Sequence, residues 1–151
     1  MTVSAAPQTA KPPSRVNVRW EGEQRFETGR LTAPTAIIDG DGKAGQSPPE
    51  ALLSALASCV SVDVIAILAK QRTPVDTLEI DVVGERVDTT PRRYKHITLN
   101  FRIGGNGIEK ERALRAIELS ATKYCSVRDS LRSDIVVDWT VELVEESTGA
   151  H

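Results

Sequence analysis

The sequence of 151 residues predicts one α+β domain, with a mainly antiparallel sheet and one long central helix. Three patterns lead to this class. The first is an apolar helical run of about 24 residues, which lies between Ser47 and Thr73. The second is a pair of long alternating segments, residues 76–88 and 94–105, joined by a turn-like stretch. The third is a return to helical periodicity before a last alternating segment, residues 135–146.

The first elements expected are a hairpin and a third short strand. Residues 1–14 are small, polar or proline and lack the apolar centre of a signal peptide, so we expect a disordered leader. Residues 15–28, RVNVRWEGEQRFET, alternate apolar and polar side chains around a turn near Gly22, which predicts a hairpin. Residues 35–40 predict the third strand. The Gly- and Asp-rich segment 39–46 predicts a flexible, solvated loop, because it lacks the spacing and closing glutamate of a calcium loop.

The long helix has clear start and stop signals. Ser47 suits the N-cap, Pro48 suits the first turn, and Glu50 completes a capping box. Thr73-Pro74 predicts the end. Such a helix is roughly 36 Å long at 1.5 Å per residue. Apolar side chains surround almost its whole circumference, so one small sheet cannot bury it, and we expect a second copy of the chain to supply further burial.

The remaining elements complete the domain, which we place at residues 15–145. Residues 107–124 predict an amphipathic helix, and residues 126–134 predict a second, short helix after Cys125. A strand follows, and residues 146–151 predict a disordered tail.

Composition excludes several functional classes. The net charge of −2 does not favour nucleic acid as a partner. No uninterrupted run of about 18 apolar residues is present, which argues against a membrane span, so we expect a cytoplasmic protein. The histidines are His96, in a strand-like segment, and His151, so four zinc ligands cannot be assembled in one chain. We therefore expect no metal and no cofactor, and a half-buried or exposed strand position for His96.

Two cysteines, Cys59 and Cys125, are the candidates for chemistry. Thiol catalysis requires a thiolate, which a nearby cation or a helix N-terminus favours. Cys59 lies in the middle of the long helix with Asp63 one turn on, so its local sequence favours a buried structural thiol. Cys125 precedes a predicted helix capped by Ser126 and has Lys123 nearby, which favours either a reactive thiol or a cysteine packed at a corner.

These two motifs, in this order of elements, resemble the OsmC/Ohr superfamily. SPPEALLSALASC opens the long helix, a strand hairpin follows, and ATKYCSVRDSL carries the second cysteine. The resemblance extends from about residue 16 to residue 144 and is closest to the YhfA-like branch of OsmC-type proteins. It implies an intertwined homodimer whose long central helices are buried against each other.

The resemblance also implies a function and a role for each site residue. Cys59 matches the peroxidatic cysteine that attacks an organic, lipid-like hydroperoxide, and Cys125 matches the resolving cysteine that forms a disulfide with it. An external dithiol would then reduce that disulfide. Glu50 and an N-terminal arginine, Arg25 or Arg30, match the pair that orients the peroxidatic thiolate. The family implies a role in the oxidative and osmotic stress response.

Two departures keep a second hypothesis open. The peroxidase pattern has a glutamate ten residues before the first cysteine, where this chain has Pro49, and Glu50 lies one residue nearer. Many members have proline after the second cysteine, where this chain has Ser126. The alternative is a dimeric stress protein without catalysis that binds a small hydrophobic ligand in the groove of its dimer.

Overall fold

The computed structural model describes residues 11–145, so the first ten residues of the predicted leader and the tail 146–151 lie outside the described residues. Residues 11–16 are exposed and have no regular secondary structure. The chain divides into two units, Met1–Pro48 and Pro49–His151. The division of the chain into leader, domain and tail therefore stays a prediction.

The N-terminal unit contains a three-stranded antiparallel sheet of β1 (Asn17–Gly22), β2 (Arg25–Gly29) and β3 (Ala36–Asp39). The predicted hairpin and third strand are confirmed. The turn centres on residues 23–24, just after Gly22, whose φ of 109° suits glycine.

Asp39 organises the loop that follows β3. This buried carboxylate accepts hydrogen bonds from the backbone N–H groups of Asp41 at 2.9 Å, Lys43 at 3.3 Å and Ala44 at 2.9 Å. These bonds, above all that from Ala44, hold the pKa of Asp39 below its ordinary range. The sequence predicted a flexible loop, whereas the backbone here is fixed by one side chain.

The C-terminal unit contains the helices and a second three-stranded sheet. Its strands are β4 (Thr77–Arg86), β5 (Tyr94–Gly104) and β6 (Val136–Leu143). β4 and β5 form the predicted antiparallel hairpin. β6 pairs with β5 in parallel, which the alternating pattern cannot indicate because it carries no strand direction. The predicted α+β class with mainly antiparallel pairing is confirmed.

Alternation along the strands sets one buried face. On β5 the inward side chains are Ile97, Leu99, Phe101 and Ile103, all fully or almost fully buried. Neighbouring strands add half-buried partners opposite them, as Val82 and Trp139 do on either side of Leu99. Gly84 completes this face, because a Cβ there would lie 2.5 Å from the Tyr94 ring and 3.0 Å from Leu53.

The long helix α1 (Pro48–Lys70) has 23 residues and begins and ends as predicted. One stripe of it packs in the core with the sheet residues: Leu53, Leu56, Ala57, Val60, Val64 and Leu68. Val62 and Ile65 remain 67% and 46% exposed. The helix is thus buried on one side and apolar on the other.

By length and composition alone, α1 is also apolar enough to cross a membrane. The sequence analysis did not identify α1 as a possible membrane span, because Asp63 and several serines interrupt its run of apolar residues. Core helices of globular proteins pass the same test, and α1 packs one face into the core of its unit. The expectation of no membrane association therefore rests on packing and stays a prediction.

The chain between β5 and β6 forms α2 (Lys110–Leu119), a π turn (Ser120–Tyr124) and α3 (Ser126–Ser130). The two predicted helices are present, and the first leaves the α-helical pattern at Ser120. Ala113, Ala116 and Ile117 are buried on one face of α2. In the π turn the N–H of Cys125 donates to the carbonyl of Ser120 at 2.8 Å, five residues back.

Candidate redox site

Cys59 and Cys125 lie near each other in the C-terminal unit. Both are free thiols; Cys59 is half-buried on α1, and Cys125 is buried between the π turn and α3. Cys125 belongs to the core cluster against which Cys59 packs, and Cys59 is close enough to raise the pKa of Cys125. Although 66 positions separate the cysteines in the sequence, the fold brings the two side chains into the same region.

Burial raises the pKa of Cys125 to about 11, from its ordinary 9.0. The Arg128 N–H, which donates to Cys125 Sγ at 3.3 Å, opposes this shift, and the neighbouring Cys59 adds to it. Cys125 itself is the N-cap of α3, so the expectation that Ser126 caps this helix is wrong. Of the two alternatives for Cys125, the burial favours a cysteine packed at a corner, because loss of hydration outweighs the backbone donors of Arg128 and Val127.

Ser120 connects the two cysteine segments and was not among the residues predicted from the sequence. Its buried hydroxyl lies 2.8 Å from Asp63 Oδ2 and 3.0 Å from the carbonyl of Val60, the residue after Cys59. Its own carbonyl accepts the N–H of Cys125. Ser120 thus ties α1 beside Cys59 to the backbone of Cys125. A buried serine in an otherwise apolar helix face was the one available signal.

A polar cavity of about 340 Å³ opens beside Cys125. Its lining residues are Ala121, Thr122, Lys123, Cys125, Arg128, Asp129, Leu131 and Ser133. Arg128 also fixes the loop after α3, because its Nη1 and Nη2 donate to the carbonyls of Arg132 at 3.0 Å and Ile135 at 2.8 Å. The site therefore combines a thiol pair with a charged recess on the Cys125 side.

Glu50 lies away from Cys59. It occupies the first turn of α1, nine residues before the cysteine, so about 13.5 Å of helix rise and half a turn separate their backbones. On the strand side Glu50 is near Tyr94, whose pKa is raised mainly by burial and further by the charge of Glu50. The predicted role of Glu50 stays a prediction, and its placement on this helix does not bring it to the thiols.

Arg25 begins β2 in the N-terminal unit. Its Nη1 lies 3.3 Å from Glu23 Oε2, and its side chain lines a shallow depression with Glu21 and Glu27. Glu27 is the most acidic carboxyl there, because hydrogen bonds, chiefly with Glu21, lower its pKa to about 2. Arg30, the alternative, is exposed just after β2. The role of either arginine at the thiol stays a prediction.

Within residues 11–145, no group of three or more His, Cys, Asp or Glu side chains is arranged to hold a metal ion. His96 is half-exposed on the outer face of the second sheet, as expected. Its Nε2 lies 2.7 Å from Asp138 Oδ2 and its Nδ1 lies 3.5 Å from Glu85 Oε2. These polar contacts account for His96 as a structural residue of the strand surface.

The fold and the site together define a class: small α+β proteins in which a core helix and a later helical turn hold two thiols near each other. Comparison with known proteins identifies the family within this class. A family model described as OsmC-like protein matches residues 40–140. The chain belongs to the OsmC-like protein family, as the sequence motifs predicted.

Known relatives and structures agree with this placement. Protein YhfA from Escherichia coli K12 is 32% identical over 131 residues, which cover 86% of this chain and 98% of that protein. A hypothetical protein from Aquifex aeolicus VF5 is 27% identical with a TM-score of 0.74, covering 89% of this chain and 100% of that one. An organic hydroperoxide resistance protein from Elizabethkingia anophelis shares the fold, at 15% identity and a TM-score of 0.62 over 89% of this chain and 100% of that one.

Proposed function

We propose that this protein is a thiol-dependent peroxidase of the OsmC type, which reduces organic hydroperoxides through Cys59 and Cys125 in a stress response. The observation that carries the proposal is the proximity of the two free thiols, which share one core cluster. The Elizabethkingia anophelis protein of the same fold is named an organic hydroperoxide resistance protein, which agrees with this chemistry. No cofactor is required, since two thiols supply two electrons.

The two oxidation steps balance without any further group. Cys59 attacks the outer oxygen of the hydroperoxide, the O–O bond breaks, an alcohol leaves, and Cys59 becomes a sulfenic acid. The Cys125 thiol then attacks the Cys59 sulfur, water leaves, and the disulfide forms. An external dithiol restores both thiols and leaves as its own disulfide.

The environments of the thiols support this division of roles. Cys59 is half-buried and therefore the more accessible sulfur, whereas Cys125 is 4% exposed. A pKa of about 11 keeps Cys125 protonated at neutral pH, so Cys125 competes poorly with Cys59 for the hydroperoxide. Its attack on the Cys59 sulfur relies on proximity instead. The apolar side chains around Cys59 favour a lipid-like hydroperoxide over hydrogen peroxide.

Intact mass after one equivalent of an organic hydroperoxide tests the proposal. The reduced protein should lose two hydrogens and both alkylation sites within one turnover. Cys125→Ser should complete the first turnover but retain Cys59 as a sulfenic acid, and Cys59→Ser should consume no hydroperoxide. Two thiols that remain reduced and alkylate fully would refute the peroxidase and favour the alternative, a non-catalytic dimer that binds a hydrophobic ligand.

A homodimer is the second part of the proposal. Three large apolar side chains remain exposed along α1: Leu52, Val62 and Ile65. The N-terminal unit exposes Val16, Val18 and Trp20 in the same way. Exposed apolar side chains of this kind on a core helix are typical of a face covered by another protein, and a second copy is the partner that the OsmC-like fold supports.

Light scattering tests the dimer directly. The protein should have twice the chain mass of 16.4 kDa. The double substitution Val62→Lys and Ile65→Lys should give monomers, because it places two charges in the covered face. Val83→Lys is the matched control: Val83 is 47% exposed on the strand surface, and its substitution should leave the dimer intact. A stable wild-type monomer would refute the assembly.

A further inference from the structure

The cavity beside Cys125 has no role in the oxidation steps. It holds about 340 Å³ and is bounded by Cys125 but not by Cys59. The two cysteines thus differ in surroundings as well as in burial. A molecule in this cavity would approach the thiol pair from the Cys125 side.

The cavity carries a net positive charge. Lys123 and Arg128 line it with one acidic residue, Asp129. The Arg128 guanidinium donates to two neutral carbonyls, and within residues 11–145 no carboxylate forms an ion pair with Arg128 or Lys123. Ser133 adds a hydroxyl group to the wall, whereas the Thr122 hydroxyl already donates to the Glu118 carbonyl at 2.6 Å. Two cations and one hydroxyl suit a small carboxylate.

Resting on the peroxidase function proposed above, we infer that this cavity admits a carboxylate-bearing thiol, which reduces the Cys59–Cys125 disulfide by attacking the Cys125 sulfur. Lys123 and Arg128 attract the carboxylate and hold the attacking thiolate beside Cys125. The cavity is therefore the reductant site, separate from the apolar side at which Cys59 meets the hydroperoxide.

The direction of attack follows from the leaving groups. A thiolate of high pKa leaves slowly, and Cys125 has a pKa of about 11. Attack on the Cys59 sulfur would expel this poor leaving group, whereas attack on Cys125 expels Cys59. Geometry and leaving-group chemistry thus favour the same sulfur.

Each step balances in atoms and electrons. The incoming thiolate forms a bond to Cys125 Sγ, the bond to Cys59 breaks, and Cys59 leaves as a thiolate that takes up a proton. A second thiol, on the same molecule or another, then attacks the mixed disulfide and releases Cys125. Two external thiols are oxidised to one disulfide, and the two protein thiols are restored.

A charge series of small thiols tests the site. The protein is first oxidised to the disulfide with diamide, so that the test does not depend on peroxide chemistry. Reduction is then followed with thioglycolate, 2-mercaptoethanol and cysteamine, which are anionic, neutral and cationic. Rates are compared per thiolate, after correction for nucleophilicity, because the three thiols differ in pKa. At low salt we expect thioglycolate to react about three to ten times faster than 2-mercaptoethanol, and cysteamine to be slowest.

Substitutions at Lys123 test whether the preference for the anionic thiol arises in the cavity. Lys123→Gln should reduce the preference for thioglycolate to below about threefold, and Lys123→Glu should reverse it in favour of cysteamine. Lys110→Gln removes the same charge from exposed Lys110 at the start of α2, outside this cavity, and should leave the preference unchanged. Salt at about 0.5 M should weaken the wild-type preference.

The outcomes separate this inference from the peroxidase proposal. Equal corrected rates for the three thiols, or a preference that Lys123→Gln leaves intact, would overturn the reductant site even if hydroperoxide forms the disulfide. A disulfide that forms with diamide but not with hydroperoxide would refute the peroxidase, and the charge series would still decide the role of the cavity. If diamide also forms no disulfide, the inference fails, because there is no disulfide to reduce.

Discussion

Removal of the Ser120 hydroxyl should loosen the connection between the two cysteine segments. In Ser120→Ala the hydrogen bonds to Asp63 at 2.8 Å and to the Val60 carbonyl at 3.0 Å are lost, while the backbone bond to Cys125 remains possible. The hydroxyl has one proton for these two acceptors, so the loss amounts to about one strong hydrogen bond. A hydrogen bond to a charged group contributes about 1.5–3 kcal/mol.

The structure places the expected loss at the lower end of this range. Asp63 is only half-buried, so water can replace part of the lost bond, whereas the space left by the hydroxyl is fully buried. We therefore expect Ser120→Ala to lower the free energy of unfolding by about 1.5–2 kcal/mol. For a chain of this size the melting temperature should fall by roughly 3–8 °C.

Chemical denaturation at a fixed protein concentration measures this loss, and Ser61→Ala is the matched control. Ser61 is also buried, but its hydroxyl donates at 2.7 Å to the carbonyl of Ala57 within the same helix. Because such a bond only supplements the helix and alanine is the better helix former, Ser61→Ala should change stability by less than about 0.5 kcal/mol. A double-mutant cycle of Ser120→Ala with Asp63→Ala should give a coupling of about 1–2 kcal/mol.

A positioning role requires an effect beyond stability. Far below the melting temperature, diamide should form the Cys59–Cys125 disulfide more slowly in Ser120→Ala than in Ser61→Ala, because the two backbones are then held together less firmly. A Ser120→Ala variant as stable as Ser61→Ala would refute the energetic estimate. A destabilised variant with an unchanged rate of disulfide formation would leave Ser120 as a purely structural residue.

Three further predictions concern the buried thiol and the core. Alkylation of Cys125, followed by peptide mass, should reach half its maximal rate near pH 11. At pH 8 Cys125 should therefore react about 100-fold more slowly than a thiol with the ordinary pKa of 9.0. A half-maximal rate near pH 9 would contradict the effect of burial on this pKa. Between pH 9 and 11 the folded state binds more protons at Cys125 than the unfolded state, so stability should fall more steeply with pH in the wild type than in Cys125→Ala. Leu56→Ala should reduce the free energy of unfolding by about 2–5 kcal/mol. Leu31→Ala, at an 83% exposed position after β2, should change it by less than about 1 kcal/mol at a protein concentration that keeps the oligomeric state unchanged.

Local sequence patterns were sufficient for most of the elements. The cap and proline signals around Ser47 and Thr73 gave both ends of α1 to within a few residues, because helix termini depend on side chains close in sequence. The two hairpins followed from alternation and turn residues for the same reason. Parallel pairing of β6 did not follow, since strand direction depends on the path of the intervening helices.

The chemistry of the candidate site was less predictable. Cys125 was expected beside a favourable helix terminus, yet its pKa is set mainly by burial, which depends on residues distant in sequence. The resemblance of the motifs to the OsmC/Ohr superfamily paired Cys59 with Cys125, whereas no local pattern indicated that the two thiols lie near each other. Ser120 was not predicted as a site residue, because its hydrogen-bond partners, Val60 and Asp63, lie about sixty positions away in the sequence.

The π turn explains why an α-helical pattern fails to place Cys125. In a regular α-helix Ser120 shares a face with Tyr124, four residues on, and Cys125 points elsewhere. Here the hydrogen bond from Cys125 to Ser120 spans five residues, so that both are buried, at 4% and 0% exposure, while Tyr124 is 52% exposed. Ser120 can therefore bond to α1 while Cys125 lies near Cys59. The proximity of the two thiols thus depends on a local departure from the regular helix.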